Sequence, residues 1–418
     1  MANDAKAPNW SRRSAMIGLT AALAGCSGGT FQLGSRSLTL PWGNDAGAGP
    51  QSGTGTIGTP MTPAPSGNAQ RFGRGSVPVA LLLPLSGEPA LAQLGTALAN
   101  ASKLAIAFIE ASPNIGENIH ITLRDTGTNA SGAINAANAA MREGARLVLG
   151  PVTAEQITAA ANVTRAANVP LIGFANNGNV AGPGVYVLNV LPETEMKRAI
   201  TYIREQGRRG PAGIFPATPY GEALATAFRQ QAIAAGFSPS AVYTFSDPGE
   251  AQGIINQAKP MTETGMIDAL FLPDRASAAT FAGLLAQAGV DRDLVQVVGS
   301  ADWANDRGLL ANPALAGAIF PAVDETGLNA IRADYQARFG AAPPQMATIA
   351  YTATILANVN TLSLANPPYS QALLTNPSGF AGRDGLFRFH ANGRSDYALA
   401  IRQIGAGGNV TTLDGAKL

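Results

Sequence analysis

Val79-Ala-Leu-Leu-Leu83 places five apolar residues in a row, closed by Pro84 and followed by Leu85-Ser86-Gly87. A run this short and this uniformly apolar reads as a strand buried on both faces, the habit of a parallel sheet. Just downstream, Leu98, Ala101, Leu104, Ala105 and Phe108 recur at helical spacing, and Pro113 stops that helix. The alternation then repeats, with strands over 120–123, 146–149 and 170–174 separated by helices over 131–143 and 153–167. Strict strand–helix alternation predicts right-handed βαβ units and a parallel sheet covered by helices on both sides.

Beyond Pro192 the pattern restarts. Helices over 193–205, 221–235, 253–259 and 276–288 alternate with strands over 212–215, 241–244, 269–272 and 295–298. Residues 318–320 and the helical run 347–362 read as added units. Leu386-Phe-Arg-Phe-His390 and the stretch 397–404 read as two terminal strands joined at Ala391-Asn392-Gly393. The expected fold class is therefore α/β, with two Rossmann-like lobes of parallel sheet and a cleft between them.

The chain of 418 residues is long enough for two or three domains at roughly 150 residues each. Its 28 Lys and Arg balance 27 Asp and Glu without a dense basic run, which excludes nucleic acid as a partner held by phosphate electrostatics. One cysteine and two distant histidines, His120 and His390, cannot build a Cys/His zinc site, and a lone cysteine forms no internal disulfide. No G-x-S-x-G elbow, phosphate-binding P-loop or H-E-x-x-H pair is present, so no enzyme activity, metal or cofactor is expected. Gly53-Thr54-Gly55-Thr56-Ile57-Gly58 fits G-x-G-x-x-G but lacks the strand before it and the helix after it, and reads as low-complexity chance.

Residues 1–26 carry Lys6, the pair Arg12-Arg13, an apolar run from Ala15 to Leu23 and then small residues, the layout of an export signal. The apolar run is too short for a transmembrane helix of roughly 18 residues or more. Leu23-Ala24-Gly25-Cys26 resembles the lipobox of bacterial lipoproteins, which implies lipid on Cys26 and attachment to a membrane. Ser11-Arg12-Arg13 also resembles a twin-arginine signal, although Ala15 stands where that signal usually has a large apolar residue. By the sorting habit of Gram-negative lipoproteins, Ser27 implies the periplasmic side of the outer membrane more than the inner one. Residues 27–76, dominated by Gly, Ser, Thr and Pro, read as a flexible linker with a reach of about 40 Å.

Ligands of open α/β sheets bind beyond the carboxyl ends of the strands, where loops meet helix starts. Four loops fall there: 86–95 with Ser86, 150–153, 175–177 and 218–221. Thr153-Ala154-Glu155-Gln156 is a capping box, so Thr153 has a structural duty whether or not it also meets a ligand carboxylate. Ala175-Asn176-Asn177-Gly178 is turn chemistry placed at a strand end. Tyr220 opens a helix at the mouth of the other lobe, where its ring suits either interlobe packing or closure over a ligand. Asp302, soon after Gly299-Ser300, is either solvated or a partner for an ammonium group. Glu193 and Glu195 sit at a helix start, where the helix dipole accounts for them.

The whole body, residues 77–408, resembles the type I periplasmic binding proteins, and among them the leucine/isoleucine/valine-binding family. The resemblance runs through Val79 to Gly87 with Gly95, Asp125, Gly150-Pro151, Val169-Pro-Leu-Ile172, Pro219-Tyr-Gly-Glu222, Ala316-Gly317, Tyr351 and Phe387-Arg-Phe-His-Ala-Asn-Gly393. It implies two lobes joined by three crossings that close on a small molecule without catalysis. The first lobe would span 77–190 and 316–376, and the second 191–315 and 377–418. By position, Thr153 matches the residue that meets the ligand carboxylate, Ala175 and Asn177 the second loop of the first lobe, and Tyr220 the aromatic of the second lobe. Asn177 departs from the family's Ser or Thr, and Asp302 lies one place beyond the acidic position near Ala301.

Val190-Leu-Pro-Glu-Thr-Glu195, Arg204-Glu-Gln-Gly207 and Phe215-Pro216 are similar to the receptor-like half of the penicillin-binding protein activators. That resemblance implies a regulator of cell-wall synthesis with a penicillin-binding protein as partner. The alternative it leaves is a substrate-binding receptor for branched-chain amino acids or related small ligands, with an ABC permease as partner. The activators' N-terminal helical-repeat domain has no counterpart in residues 27–76.

Overall fold

The computed structural model describes residues 29–33, 36–40, 69–238 and 241–418. The export signal and Cys26 lie outside the described residues, as does the glycine fingerprint at 53–58. Within the expected linker, β1 (Gly29–Leu33) and β2 (Arg36–Leu40) pair as an antiparallel hairpin. The signal for it is in the sequence: Phe31 and Leu33, then Leu38 and Leu40, alternate with polar residues at a period of two. A second strand from that stretch, β3 (Gln70–Phe72), belongs to the body, pairing antiparallel with the strand at 119–125.

The first lobe follows as β4 (Val77–Leu83), α1 (Pro89–Ala111), β5 (Ile119–Asp125), α2 (Ala130–Arg142), β6 (Leu147–Leu149), α3 (Ala154–Ala166), β7 (Leu171–Gly173) and β8 (Val185–Val187). Its six strands lie in the order β3-β5-β4-β6-β7-β8, parallel apart from β3. The apolar run that opens the pattern is its central strand. Val79, Leu81 and Leu83 point into the larger core on one face, while Ala80 and Leu82 point into an Ala-rich core beneath α2 and α3 on the other. The uninterrupted run follows from burial on both faces. Glu88 caps α1 by accepting from the N–H groups of Ala90 (3.0 Å) and Leu91 (2.8 Å). Gly95 lets α1 approach the end of β4, since a Cβ there would sit 1.8 Å from the Pro84 carbonyl oxygen.

The second lobe comprises α4 (Pro192–Glu205), β9 (Pro211–Pro216), α5 (Pro219–Ala234), β10 (Ala241–Phe245), α6 (Ala251–Glu263), β11 (Ala269–Phe271), α7 (Ala278–Gln287), β12 (Gln296–Val298), α8 (Arg307–Leu310) and β13 (Ile319–Ala322). The chain then returns to the first lobe with α9 (Thr326–Phe339), α10 (Ala347–Asn358), α11 (Asn360–Ser363) and α12 (Gln371–Leu374). A small antiparallel sheet follows, of β14 (Phe380–Gly382), β15 (Gly385–Phe389) and β16 (Ser395–Tyr397). Finally β17 (Leu399–Ile404) and β18 (Val410–Lys417) complete the second lobe's sheet, ordered β10-β9-β11-β12-β13-β17-β18.

Three crossings join the lobes: residues 188–191 between β8 and α4, 323–325 between β13 and α9, and Ala398 between β16 and β17. β13 pairs with β12 and β17, so the return to the first lobe comes after it and not at 316. The apolar stretch 397–404 divides likewise. Tyr397 stacks on Phe387 in the first lobe's core, whereas Ile401 and Ile404 enter the two cores of the second lobe. One apolar run serving two cores reads in sequence as a single strand. Arg198 of α4 fastens the last crossing, its Nε donating to the Leu399 carbonyl (2.7 Å) and its Nη2 to Asp414 Oδ2 (2.7 Å).

Candidate functional site

A cavity of about 100 Å³ opens between the lobes. Two of the crossings contribute to its walls, through Asn189 and Val190 and through Val323 and Glu325, and Tyr397 joins them from the end of β16, next to the third. Tyr220 and Asp302 line it, and so do Glu195 and Asp384. No Lys, Arg or His does so among the described residues.

Glu195 stands in the first turn of α4 and is 4% exposed. Its Oε2 accepts from the Ala301 N–H at 3.0 Å. Burial, reinforced by the nearby Asp302 carboxyl, pushes its pKa to about 8 against the pull of that hydrogen bond. Asp302 opens the short 3-10 turn Ala301–Asn305. Burial raises its pKa to about 6; Arg275 opposes the rise and Asp274 adds to it. Arg275 itself is bonded to Asp306 at 3.2 Å.

Asp384, 5% exposed, lies in the turn between β14 and β15. Burial first, then repulsion from Asp324, lifts its pKa to about 7 although the Thr348 hydroxyl bonds to it. Thr348 Oγ1 lies 2.7 Å from both Asp384 Oδ2 and the Gln345 carbonyl oxygen. A hydroxyl has one proton to give. A protonated Asp384 satisfies both contacts, donating to Thr348 while Thr348 donates to Gln345. Glu325, by contrast, is neutralised by Arg402 at 2.8 Å. The Tyr397 hydroxyl faces this group, 2% exposed and without a hydrogen-bond partner. Val190, Val323, Met346 and Ile349 supply apolar wall.

Of the six ligand residues expected from sequence, Tyr220 and Asp302 line the cavity. Ala175 is buried beside Asn176, which lines it instead. Ser86, Thr153 and Asn177 lie outside its walls, each engaged by its own chain. Ser86 bonds to Asp125. Thr153 caps α3 by accepting from the Gln156 N–H at 3.3 Å, and Asn177 accepts from the Asn179 N–H at 2.9 Å. Gln156 does not reach back to Thr153 as a capping box would have it; its side chain donates to the Gly127 carbonyl at 2.9 Å. Thr218 caps α5 in the same manner, accepting from Gly221 N–H at 3.1 Å.

Glu195, Asp384 and Tyr397 are the residues that the sequence reading passes over. Glu195 left a signal, since it falls on the same helical stripe as Met196, Ala199, Ile200 and Ile203 of α4, all buried. A carboxylate on an apolar stripe calls for more than a helix dipole. Asp384-Gly385 reads as ordinary turn chemistry.

The sequence pattern of the periplasmic binding protein family matches residues 76–409, most of the chain. The chain belongs to the type I periplasmic binding proteins. Two solved members show the same fold at low identity. A putative branched-chain amino acid ABC transporter protein of Rhodospirillum rubrum is 20% identical with a TM-score of 0.69, over 81% of this chain and 99% of that one. The branched-chain amino acid transporter substrate-binding protein LivJ of Streptococcus pneumoniae, solved with isoleucine, is also 20% identical, with a TM-score of 0.56 over 82% and 99%. In sequence the chain is 25% identical over 300 residues to the penicillin-binding protein activator LpoA of Edwardsiella piscicida, covering 68% of this chain and 41% of that protein. It thus spans about two fifths of that curated relative's length. The family is one of periplasmic binding proteins, and membership of it places this chain at the cell envelope.

Among the described residues no helix is long and apolar enough to cross a membrane, and no cluster of three or more His, Cys, Asp or Glu could hold a metal ion.

Proposed function

We propose that this protein is a non-enzymatic lipoprotein, held on the periplasmic side of the outer membrane through Cys26, that regulates cell-wall synthesis by contact with a penicillin-binding protein. The observation that carries this reading is the cleft, which lacks the apparatus for an α-amino acid. The carboxyl groups of Glu195, Asp302 and Asp384 line it, and no Lys, Arg or His does so among the described residues. Thr153 and Thr218 each take up one N–H of the helix starts at the strand ends, and neither lines the cavity. The similarity to the activator of Edwardsiella piscicida supports the choice of partner. The second reading, a branched-chain amino acid receptor for an ABC permease, rests on the two-lobed fold that the chain shares with such receptors.

One pair of measurements separates the two. Purified protein, stripped of ligand by unfolding and refolding, is melted with leucine, isoleucine and valine, and is also added to penicillin-binding proteins during peptidoglycan synthesis. A regulator speeds synthesis and melts at an unchanged temperature. A receptor at 100 times its Kd gains about 2.7 kcal/mol, or about 4 °C for a body of this size, and leaves synthesis unaffected. The second outcome would overturn the proposal.

A further inference from the structure

Arg383, in the turn between β14 and β15, is held in place by aromatic rings and not by a counter-ion. Its guanidinium carbon lies 4.7 Å from the centre of the Tyr351 ring of α10 and 5.8 Å from that of the Phe108 ring of α1. The two ring centres are 6.5 Å apart, so the rings form a corner around the guanidinium. Nη2 donates to the Tyr351 hydroxyl at 3.1 Å, and the backbone N–H of Arg383 donates to Thr352 Oγ1 at 2.9 Å. Gly327 of α9 closes on the same turn, since a Cβ there would lie 1.8 Å from the Arg383 carbonyl oxygen. Backbone and side chain are both fixed before any partner arrives, which lowers the cost of binding one.

Elsewhere the chain neutralises its fixed arginines. Arg124, Arg198, Arg275, Arg388, Arg394 and Arg402 each meet a carboxylate. Arg383 forms no ion pair among the described residues. The Asp384 carboxyl next to it in sequence is turned to Thr348, and Asp334 acts on Tyr351 without pairing with Arg383. A guanidinium has five N–H donors, and the Tyr351 hydroxyl takes one of them. The nitrogen atoms left over are not sealed in, unlike Nε of Arg124 and of Arg388, so they face solvent. Beside them Phe108 is 44% exposed. None of the three residues lines the interlobe cavity. An exposed ring next to a fixed arginine with unused donors is the composition of an interface hot spot.

A carboxylate is the group that complements it. The planar guanidinium takes a carboxylate through two parallel N–H bonds, and the Phe108 ring receives the apolar groups behind it. A polyanion does not suit a single cation on a chain whose 28 basic and 27 acidic residues balance without a basic run. We propose that Phe108 and Arg383 form a docking surface on the first lobe for an acidic segment of the penicillin-binding protein, with an Asp or Glu carboxylate of that segment on Arg383 and an adjoining apolar group on Phe108. This rests on the regulator reading and adds to it the place of contact.

The test measures the binding of purified penicillin-binding proteins to the full chain by surface plasmon resonance, beside the peptidoglycan-synthesis assay. Arg383→Glu sets a negative charge against the partner's carboxylate and should weaken binding about tenfold or more, with stimulation falling in step. Arg383→Lys should restore binding only in part, because an ammonium group lacks the fork. Phe108→Ala should weaken binding about fivefold, and it decides the question if Arg383→Glu disturbs the fold as read by the melting temperature. Arg229→Glu makes the same charge change on an exposed position of α5 in the second lobe and should alter binding by less than about twofold. Wild-type binding that Arg383→Glu and Phe108→Ala both leave within about twofold overturns this surface and leaves the regulator reading standing. Equal weakening by Arg383→Glu and Arg229→Glu also overturns it, since net charge would then account for the effect. Absence of binding by the wild-type chain removes the regulator reading, and this surface with it.

Discussion

Replacing Glu195 by glutamine should flatten the dependence of stability on pH. The native carboxyl titrates near 8 against an ordinary value of 4.5. Between those limits the folded chain holds a proton that the unfolded chain has released. Stability is then greatest below about pH 4.5 and falls as pH rises, by about 1.4 kcal/mol per pH unit, until the folded group ionises near 8. From pH 5.5 to 7.5 the loss from this one group is about 3 kcal/mol. At about 2.1 cal/mol/K per residue, a body of roughly 350 residues melts about 4 °C lower for that change.

The glutamine side chain keeps an oxygen for the Ala301 N–H and cannot titrate, so the melting curve of the Glu195→Gln variant lacks this contribution. Asp384, which is not coupled to Glu195, titrates in both proteins and cancels in the difference. Thermal melts of the two proteins at half-unit steps from pH 5 to 8 give the comparison directly. The wild-type melting temperature should fall about 4 °C relative to the variant between pH 5.5 and 7.5. Parallel curves would refute the reasoning, because they would mean that Glu195 is ionised in the folded protein at neutral pH.

Thr153→Ala removes the cap of α3 and should cost about 1 kcal/mol in chemical denaturation. Gly299→Ala would push a methyl group to 2.3 Å from the fully buried Trp303 ring, an overpacking that should cost about 1–3 kcal/mol and alter the near-ultraviolet signal of that tryptophan. Arg198→Ala removes the side-chain donor to the Leu399 carbonyl and one of the two cations on Asp414, which Lys417 still holds at 2.8 Å, and should destabilise the chain by about 1–3 kcal/mol, measured by urea unfolding. Its effect should be larger than that of removing Arg74, whose guanidinium is mostly exposed and only 3.8 Å from Glu110.

The fold was legible because its signals are local. Val79 to Leu83, the Ala-rich helices and the short runs at 147–149, 269–271 and 296–298 each show their own period, and a parallel sheet is the arrangement that buries all of them. Strands that depend on partners were harder to see. β3 and β18 lie at sheet edges, carry few buried residues and are held by pairing with β5 and β17. The division of 397–404 between two lobes depends on which core each residue enters, and no local period carries that information. The site was half legible for the same reason. Tyr220 in the first turn of α5 and Asp302 in the turn after β12 follow strand ends whose position the topology predicts, whereas Glu195, Asp384 and Tyr397 reach the cavity only because the segments joining the lobes fold back on one another.

That convergence also determines what the cavity can sense. Its walls include residues from two of the segments that join the lobes and Tyr397 beside the third, together with Glu195 and Asp302 of the second lobe and Asp384 of the first. A ligand shifts a conformational equilibrium only by as much as its contacts differ between the two states. Burial holds Glu195 and Asp384 protonated above the ordinary carboxylate range, so charge develops on the two sides of the cavity only as pH rises toward about 7 and about 8. Protonation, and not the number of acids, therefore sets the charge between the lobes.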